Sequence, residues 1–223
     1  MLNGVIFDFN GTLFFDSEYH LKVFDQLRME IAGKHLTMEE LDKEYSGLPN
    51  VEIFKKMSDG KLSEAQCEEY SQRKEAMYRD AVSNTPGGAH LCNGAEEMFD
   101  MLKENNIPFT IASASIIENI TFFRKQFRLD KWIDPKTIVY DDGSYKNKAA
   151  MFQDAMKRSG IKDHVLVFED SKSGILSAEK AGASVIAIER DSLHDFYQTQ
   201  AGILAIVKDL LEAIPYVKKM MRE

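Results

Sequence analysis

The sequence lacks most of the features that mark secreted proteins, membrane-spanning proteins or proteins stabilised by a structural metal. It has only two cysteines, Cys67 and Cys92, which lack the spacing of a metal site. We expect both thiols to be reduced; the alternative is a single disulfide, which no other feature of the sequence calls for. No stretch reaches the roughly 18 consecutive apolar residues of a membrane-spanning helix. The chain opens Met1-Leu2-Asn3-Gly4, without the basic start and apolar stretch of a signal peptide. These absences predict a soluble, cytoplasmic protein with no membrane partner.

Positive charge is also scarce. Lysine and arginine number 28 against 36 aspartates and glutamates, which gives a formal net charge of -8. Because no basic stripe offsets this surplus, the composition argues against a nucleic-acid partner. The hydrophobic share of 44% and the charged share of 29% are typical of an ordinary globular chain. A chain of 223 residues can bury a sizeable core without a disulfide or a structural metal.

Short apolar segments alternate with helical patterns along most of the chain. The segments are rich in β-branched and aromatic residues and bounded by polar or glycine residues, which favours buried strands. The predicted strands are Gly4–Phe9, Pro108–Ser113, Thr137–Tyr140, Val165–Glu169 and Ser184–Glu189. The helical patterns between them include Gly94–Glu104, Ile116–Phe127, Lys148–Ser159 and Gly174–Ala181. Alternating strands and helices predict an α/β fold with a parallel sheet between two helical layers.

Residues 15–84 interrupt this alternation. They show helical periodicity, many charged residues and no convincing strand. Thr37-Met-Glu-Glu40 and Ser63-Glu-Ala-Gln66 have the spacing of a capping box, in which a hydroxyl residue is followed three positions later by Glu or Gln. We therefore predict an α/β core formed by residues 1–14 and 85–223, with an all-helical domain inserted at 15–84.

Polar side chains follow the predicted strands at the points where the strands end. Asp8 lies at the end of the first strand, Ser113 ends the second, Lys146 and Lys148 come after the third, and the pair Glu169-Asp170 closes the fourth. In open parallel sheets, ligands bind outside the carboxyl ends of the strands. Taken singly, an Asp after a strand is typical of a turn or a helix cap, and a lone Lys of the surface. Their shared position at one edge of one sheet favours a common site.

These residue types are suited to phosphoryl transfer. Carboxylates brought close together repel one another unless a cation lies between them, and oxygen ligands favour a hard ion such as Mg²⁺. A hydroxyl and an ammonium group can hold the oxygens of a transferring phosphoryl group. One carboxylate could then attack phosphorus and form an aspartyl-phosphate.

Three short motifs contain most of these polar residues: Asp8-Phe-Asn-Gly-Thr-Leu13, Ile111-Ala-Ser-Ala-Ser115 and Val167-Phe-Glu-Asp-Ser171 with Gly174. In these motifs the sequence resembles the haloacid dehalogenase-like hydrolases, specifically the helical-cap phosphatases and β-phosphoglucomutase-like proteins. The resemblance implies a Rossmann-like parallel sheet core with an inserted all-helical cap. It also implies Mg²⁺-dependent hydrolysis of a small phosphorylated metabolite through an aspartyl-phosphate. The alternatives are a phosphomutase of the β-phosphoglucomutase type, or a catalytically weak member that binds a ligand and regulates. The metal-independent dehalogenases fit less well, because of the acidic pair at Glu169 and Asp170.

The resemblance also implies roles for individual residues. Asp8 would be the nucleophile and a metal ligand, and Asn10 would bind the metal through its backbone carbonyl. Asp170 would complete the metal site, with Glu169 supporting it. The phosphate-binding and catalytic residues would be Ser113, Ala114 and one of the two lysines, Lys148 or Lys146, of which the helix start favours Lys148.

Asn10 departs from the family pattern, which has a second aspartate at this position as the general acid and base. An amide cannot give up or take a proton at working pH, and losing a positioned acid–base group typically costs about 10²–10⁴-fold in rate. Four explanations stay open. In the first, the leaving group needs no proton. In the second, a residue of the insert, such as His20, His35 or Glu52, supplies one. In the third, the chain is an engineered variant that traps an intermediate, and in the fourth the Asn10-Gly11 dipeptide deamidates.

Overall fold

The structure, a computed structural model, describes residues 1–222, and its centre is a parallel β-sheet. Within these residues the sheet has six strands in the order β3-β2-β1-β4-β5-β6, and every neighbouring pair is parallel. The strands are β1 Gly4–Phe7, β2 Phe109–Ser113, β3 Val139–Tyr140, β4 Val165–Glu169, β5 Ser184–Ile188 and β6 Ile203–Val207. The strand order changes direction at β1, which lies between β2 and β4. In open α/β sheets this is where ligands bind.

Helices alternate with the strands of the sheet, and the last helix follows β6. They are α5 Ala95–Glu104, α6 Ile117–Gln126, α7 Lys148–Arg158, α8 Lys172–Lys180, α9 His194–Thr199 and α10 Leu210–Arg222. Apolar side chains from strands and helices form a hydrophobic core cluster, in which Ile6 of β1 and Val167 of β4 pack with Phe152 of α7, all three without solvent exposure. Burial of such side chains contributes roughly 1.5–3 kcal/mol each, which fixes the strands beneath the polar edge.

The remaining α-helices belong to a separate compact unit. The chain divides into one unit formed by Met1–Phe15 and the chain from His90 onward, and a second formed by Asp16–Ala89. The second unit contains α1 Ser17–Ala32, α2 Met38–Glu40, α3 Asn50–Met57 and α4 Glu64–Ser83, and Leu41–Tyr45 continue α2 as a short π-helical segment. The predicted fold class, a Rossmann-like parallel sheet core with an inserted all-helical domain, is confirmed. Residue 223, the last of the predicted core, lies outside the described residues.

Both predicted capping boxes are present in the helical unit. Thr37 Oγ1 accepts a hydrogen bond from the Glu40 backbone N–H, and the Glu40 carboxylate accepts one from the Thr37 N–H. Ser63 and Gln66 make the same reciprocal pair at the start of α4. Each box satisfies N–H groups that have no partner within the helix.

Two features of the core differ from the sequence prediction. Strand β6 was not predicted; it is an edge strand, and Leu204 and Ile206 on it are about half exposed, so it lacks the burial on both faces that marks the inner strands. Helix α10 continues through Pro215, although a proline inside a helical pattern normally predicts an interruption or a kink. None of the helices within residues 1–222 is long and apolar enough to cross a membrane.

Candidate active site

The register of the sheet places the first carboxylate next to the acidic pair. Phe7 of β1 is the partner of Phe168 of β4, so the residues that follow, Asp8 and Glu169, leave their strands side by side. The Asp8 backbone N–H still donates to the Phe168 carbonyl at 3.0 Å. The rings of Phe7 and Phe168 stack with centroids 5.0 Å apart and hold the two strands together below the site.

The loop after β1 turns tightly at Gly11. The carbonyl of Phe9 accepts hydrogen bonds from the N–H groups of Leu13 and Phe14, and Gly11 N–H donates to the Phe14 carbonyl at 2.7 Å. Gly11 has φ of 75°, a left-handed conformation that glycine adopts without strain. A Cβ at this position would also collide with the Asp170 carboxylate. The loop therefore passes directly against the acidic pair after β4.

Glu169 is held by the start of helix α8. Its Oε2 accepts hydrogen bonds from the N–H groups of Asp170 and Ser171, at 2.9 and 2.8 Å, and from Ser171 Oγ at 3.0 Å. Ser171 is also the N-cap of α8, because its Oγ accepts from the Gly174 N–H at 3.0 Å. A Cβ at Gly174 would overlap the Glu169 carboxylate, so the glycine makes room for it. These contacts bury the Glu169 side chain completely.

Lys148, and not Lys146, lies against these carboxylates. Asn147 caps helix α7 by accepting from the Ala150 N–H at 3.0 Å, which makes Lys148 the first residue of the helix. From there the Lys148 Nζ donates to Asp8 Oδ1 at 2.8 Å and to Glu169 Oε1. Lys146 is an exposed residue of the preceding loop.

Serines of the loop after β2 contact Asn10. Ser115 Oγ donates to Asn10 Oδ1 at 2.6 Å, and Ser113 Oγ lies 3.5 Å from the same oxygen. The Ser115 backbone N–H donates to Ser113 Oγ at 3.2 Å, and Ala114 between them is exposed. The two hydroxyls therefore direct the amide oxygen of Asn10 toward this loop. Ser115 was not among the predicted site residues, although its hydroxyl two positions after Ser113 was a signal that could have identified it.

Three buried carboxylates meet at this edge of the sheet. Asp8, Glu169 and Asp170 each offer an oxygen within 4.8 Å of the others. Two cations face them, because Lys148 contacts Asp8 and Glu169 while Arg190 donates to Asp170 Oδ2 from Nε at 2.8 Å. With two cations facing three anions, the cluster carries a formal charge of -1 when all five groups are ionised. Arg190 was also missed by the sequence analysis, although it follows β5 by the same carboxyl-end rule that identified the others.

Burial dominates the ionisation of these groups. Desolvation raises the pKa of Asp8 to about 8, since it outweighs the opposing attraction of Lys148. Desolvation and the neighbouring Glu169 raise the pKa of Asp170 to about 6, against the pull of Arg190. Burial alone would lower the pKa of Lys148, but the charges of Asp8 and Glu169 prevail and raise it. The cluster therefore favours binding of a further positive charge, which would stabilise the ionised carboxylates.

The donor set fits a hard divalent cation. All candidate ligands are oxygens, and small, hard cations such as Mg²⁺ bind through one or two carboxylates together with waters and phosphate oxygens. Both Glu169 oxygens already accept hydrogen bonds, Oε1 from Lys148 and Oε2 from three donors. Asp8 and Asp170 are therefore the better candidates for direct ligation, with Glu169 as their support.

The family of the chain follows from comparison with known proteins. The model of the haloacid dehalogenase-like hydrolases matches residues 5–188. The chain belongs to this family. A crystal structure of a haloacid dehalogenase-like hydrolase of family IA, variant 3, from Entamoeba histolytica is 30% identical and superposes with a TM-score of 0.89 over the whole of both chains.

Other similar proteins share a smaller fraction of identical residues with this chain. A protein of Thermotoga maritima named "Phosphorylated carbohydrates phosphatase" is 24% identical and is matched over 93% of this chain and 94% of its own length. A Drosophila melanogaster protein named "Probable pseudouridine-5'-phosphatase" is 28% identical, over 82% of this chain and 80% of its own. The structure of a β-phosphoglucomutase from Clostridium difficile covers 100% of this chain and 98% of its own with a TM-score of 0.80; at 17% identity this likeness shows the fold alone.

The residues of the helical unit that were considered as proton donors lie in three different settings. His20 Nε2 is 3.0 Å from Asp16 Oδ2, and its ring stacks on that of Tyr78 with centroids 4.4 Å apart. His35 is exposed and lies 3.1 Å from Asp25. Glu52 is exposed on α3. Of the three, His20 alone is part of a buried network within this unit, because the Tyr78 hydroxyl also donates to Asp16, at 2.6 Å.

Proposed function

We propose that the protein is a Mg²⁺-dependent phosphatase that hydrolyses a small phosphorylated metabolite through an aspartyl-phosphate at Asp8. The observation that carries this proposal is the contact of the buried Asp8 carboxylate with Lys148, beside Glu169 and Asp170. A nucleophilic carboxylate needs a cation nearby that can offset the charge of an incoming phosphoryl group, and Lys148 is in place to do so.

The cation would be held by Asp8, Asp170 and the backbone carbonyl of Asn10, with Glu169 in support. When bound, Mg²⁺ supplies charge neutralisation to the transferring phosphoryl oxygens. Asp8 and Asp170 must be ionised to hold it, and their raised pKa values make this binding release protons near neutral pH.

The chemistry of the chain's own residues has two steps. An oxygen of Asp8 forms a bond to phosphorus while the bond from phosphorus to the leaving oxygen breaks. Lys148, Ser113 and the backbone at Ala114 hold the phosphoryl oxygens during this transfer. An oxygen of water then forms a bond to phosphorus while the bond from phosphorus to the Asp8 oxygen breaks. Phosphate leaves, the Asp8 carboxylate is regenerated, and the proton lost by the water passes to solvent.

Asn10 limits both steps. Its amide can donate and accept hydrogen bonds but cannot protonate the leaving oxygen or deprotonate water. Its amide oxygen instead contacts the hydroxyl groups of Ser113 and Ser115. We therefore expect slow turnover of simple alkyl phosphates, and faster transfer from substrates whose leaving group departs without a proton.

The substrate class follows from the relatives. Their names refer to phosphorylated carbohydrates and to a nucleoside phosphate, so we propose a phosphorylated sugar or nucleotide-like metabolite. The same names favour hydrolysis over a phosphomutase reaction. We propose that the helical insert, predicted at residues 15–84, is the cap that selects this substrate and excludes water during the reaction.

Phosphate release from an aryl phosphate tests the proposal. The rates of the unaltered chain, Asn10→Asp and Asp8→Ala are compared with and without Mg²⁺, and Asp195→Ala, which removes an exposed carboxylate on α9, is the matched control. We expect slow release by the unaltered chain and by the control, faster release by Asn10→Asp, and none by Asp8→Ala or without the metal. A parental rate in Asp8→Ala would reject Asp8 as the nucleophile.

The same series separates the alternatives. A phosphomutase would return the phosphoryl group to a sugar phosphate and release little phosphate, even as Asn10→Asp. A regulatory protein would bind phosphorylated sugars but release no phosphate from any ester after the aspartate is restored.

A further inference from the structure

Arg190 makes a two-point contact with Asp170. Its Nε donates to Asp170 Oδ2 at 2.8 Å, and its terminal Nη2 donates to the same oxygen. The other oxygen of Asp170, Oδ1, receives a long contact of 3.4 Å from Thr12 Oγ1. The arginine thus holds Oδ2 of the carboxylate. Because the carboxylate is planar and rigid, this also limits the directions in which Oδ1 can point.

The backbone of Arg190 is itself anchored. The hydroxyl of Tyr197, a buried residue of α9, accepts a hydrogen bond from the Arg190 N–H at 3.1 Å. The same hydroxyl donates to the Ile188 carbonyl at 3.0 Å. Tyr197 therefore fixes the backbone at the end of β5, and with it the position from which the Arg190 side chain reaches Asp170.

The loop after β1 packs closely against the contact between Arg190 and Asp170. A Cβ at Gly11 would collide with both the Asp170 carboxylate and the Arg190 guanidinium group. A glycine at this position lets the loop carrying Asp8 and Asn10 lie directly over the pair. The position of Arg190 is thus coupled to both loops that would supply cation ligands.

We propose that Arg190 is a positioning residue of the cation site, which fixes Asp170 through Oδ2 so that Oδ1 is offered to the divalent cation. This inference rests on the proposed function, in which Asp170 is a ligand. Hydrogen-bond partners of metal-ligating groups orient the ligands, and their removal typically weakens metal binding by about 10–100-fold. Lysine cannot replace the planar fork of an arginine at such a contact.

Positioning and simple charge compensation predict opposite results. If Arg190 only offset the negative charge of the cluster, Arg190→Gln would bind Mg²⁺ more tightly and Arg190→Lys would bind it equally well. If Arg190 positions Asp170, both variants bind Mg²⁺ more weakly, even though Arg190→Lys keeps the charge.

The experiment measures the Mg²⁺ dissociation constant of the substrate-free chain by isothermal titration calorimetry. Urea unfolding in EDTA checks that each variant is folded. The matched control is Arg124→Lys, because Arg124 makes a two-bond contact with Asp130, both at 2.8 Å, on the exposed surface of α6. We expect a dissociation constant raised about tenfold or more in Arg190→Lys and Arg190→Gln, and unchanged in the control.

Tyr197→Phe is a second, milder test, since it removes only the hydroxyl and keeps the arginine. We expect it to raise the dissociation constant about threefold, a smaller change than loss of the arginine fork itself. Unchanged or tighter Mg²⁺ binding in the folded Arg190 variants would overturn the inference. If those variants do not fold, an unchanged Mg²⁺ dissociation constant in Tyr197→Phe would overturn it. Either result leaves the proposed function intact. If the unaltered chain binds no Mg²⁺, the proposed metal site fails and this inference is rejected with it.

Discussion

The ammonium group of Lys148 lies 2.8 Å from Asp8 Oδ1 and also contacts the buried carboxylate of Glu169. It is therefore the positive charge nearest to the proposed nucleophile, whereas Lys146 lies exposed two residues earlier. We expect Lys148→Met to lower kcat/KM for an aryl phosphate by about 10²–10³-fold, because an electrostatic partner of the transferring group is lost.

Lys146→Met is the matched control for this prediction, because it removes the same charge from the neighbouring loop. It should keep kcat/KM within about twofold of the parent, as expected for an exposed side chain outside the site. Urea unfolding of both variants separates a catalytic loss from unfolding. Equal losses in the two folded variants would contradict the placement of Lys148 at the phosphoryl group.

Because Asn10 has an amide in place of a carboxyl group, we expect the rate of phosphate release to depend strongly on the leaving group. We expect Asn10→Asp to accelerate hydrolysis of an alkyl phosphate by about 10²–10⁴-fold, the usual contribution of a positioned acid–base group. The gain should be much smaller for acetyl phosphate, whose carboxylate leaving group departs without a proton. Steady-state phosphate release from both substrates measures the two gains, and equal gains would show that proton transfer is not what Asn10 lacks.

Gly174 should respond to substitution against the usual trend for helices. Alanine normally stabilises a helical position by about 0.5–1 kcal/mol relative to glycine. At Gly174 the new methyl group would overlap the Glu169 carboxylate, and overpacking of this kind typically costs about 1–3 kcal/mol. We expect Gly174→Ala to lower the free energy of unfolding measured in urea.

Ser173→Ala provides the comparison in the same helix. Ser173 is exposed, so alanine there should leave stability unchanged or raise it slightly through its higher helix propensity. A Gly174→Ala variant as stable as Ser173→Ala would mean that Glu169 does not occupy the space above the glycine.

The raised pKa of Asp8 predicts a pH-dependent stability in the metal-free chain. Burial raises this pKa from 3.8 to about 8. Between these pH values the folded chain binds more protons at Asp8 than the unfolded chain does, so this group's contribution to stability falls as pH rises. Asp8→Asn does not titrate, and its free energy of unfolding relative to the parent should therefore increase from pH 4 to pH 8.

Urea unfolding in EDTA across this range tests the sign. The pKa of Asp170 is also raised by burial, and the charge of Asp170 raises the pKa of Asp8. This repulsion adds to the difference between the two proteins and does not change its sign. The raised pKa of Lys148 affects stability only above its ordinary value of 10.5, outside this range. A difference between Asp8→Asn and the parent that stays constant or shrinks with rising pH would contradict the prediction.

Local patterns in the sequence were enough to predict much of the fold. The first five strands along the chain are short apolar runs between polar residues, and the capping boxes at Thr37 and Ser63 depend on residues three positions apart. The rule that ligands bind at the carboxyl ends of parallel strands then pointed to Asp8, Ser113 and Glu169. Asp8 follows β1, and Ser113 and Glu169 end the two strands that neighbour β1 in the sheet. Edge strand β6 was missed, since its exposed side lacks that apolar burial.

What the sequence determined by itself was which residue types occur at the ends of the strands, since this depends on neighbours along the chain. Which side chains meet was decided only by the tertiary structure. The cap at Asn147 sets the start of α7 and so brings Lys148 rather than Lys146 to Asp8. Ser115 reaches Asn10, and Arg190 reaches Asp170, across 105 and 20 residues of sequence. Such contacts depend on strand order, register and side-chain reach, and no periodicity along the chain encodes these.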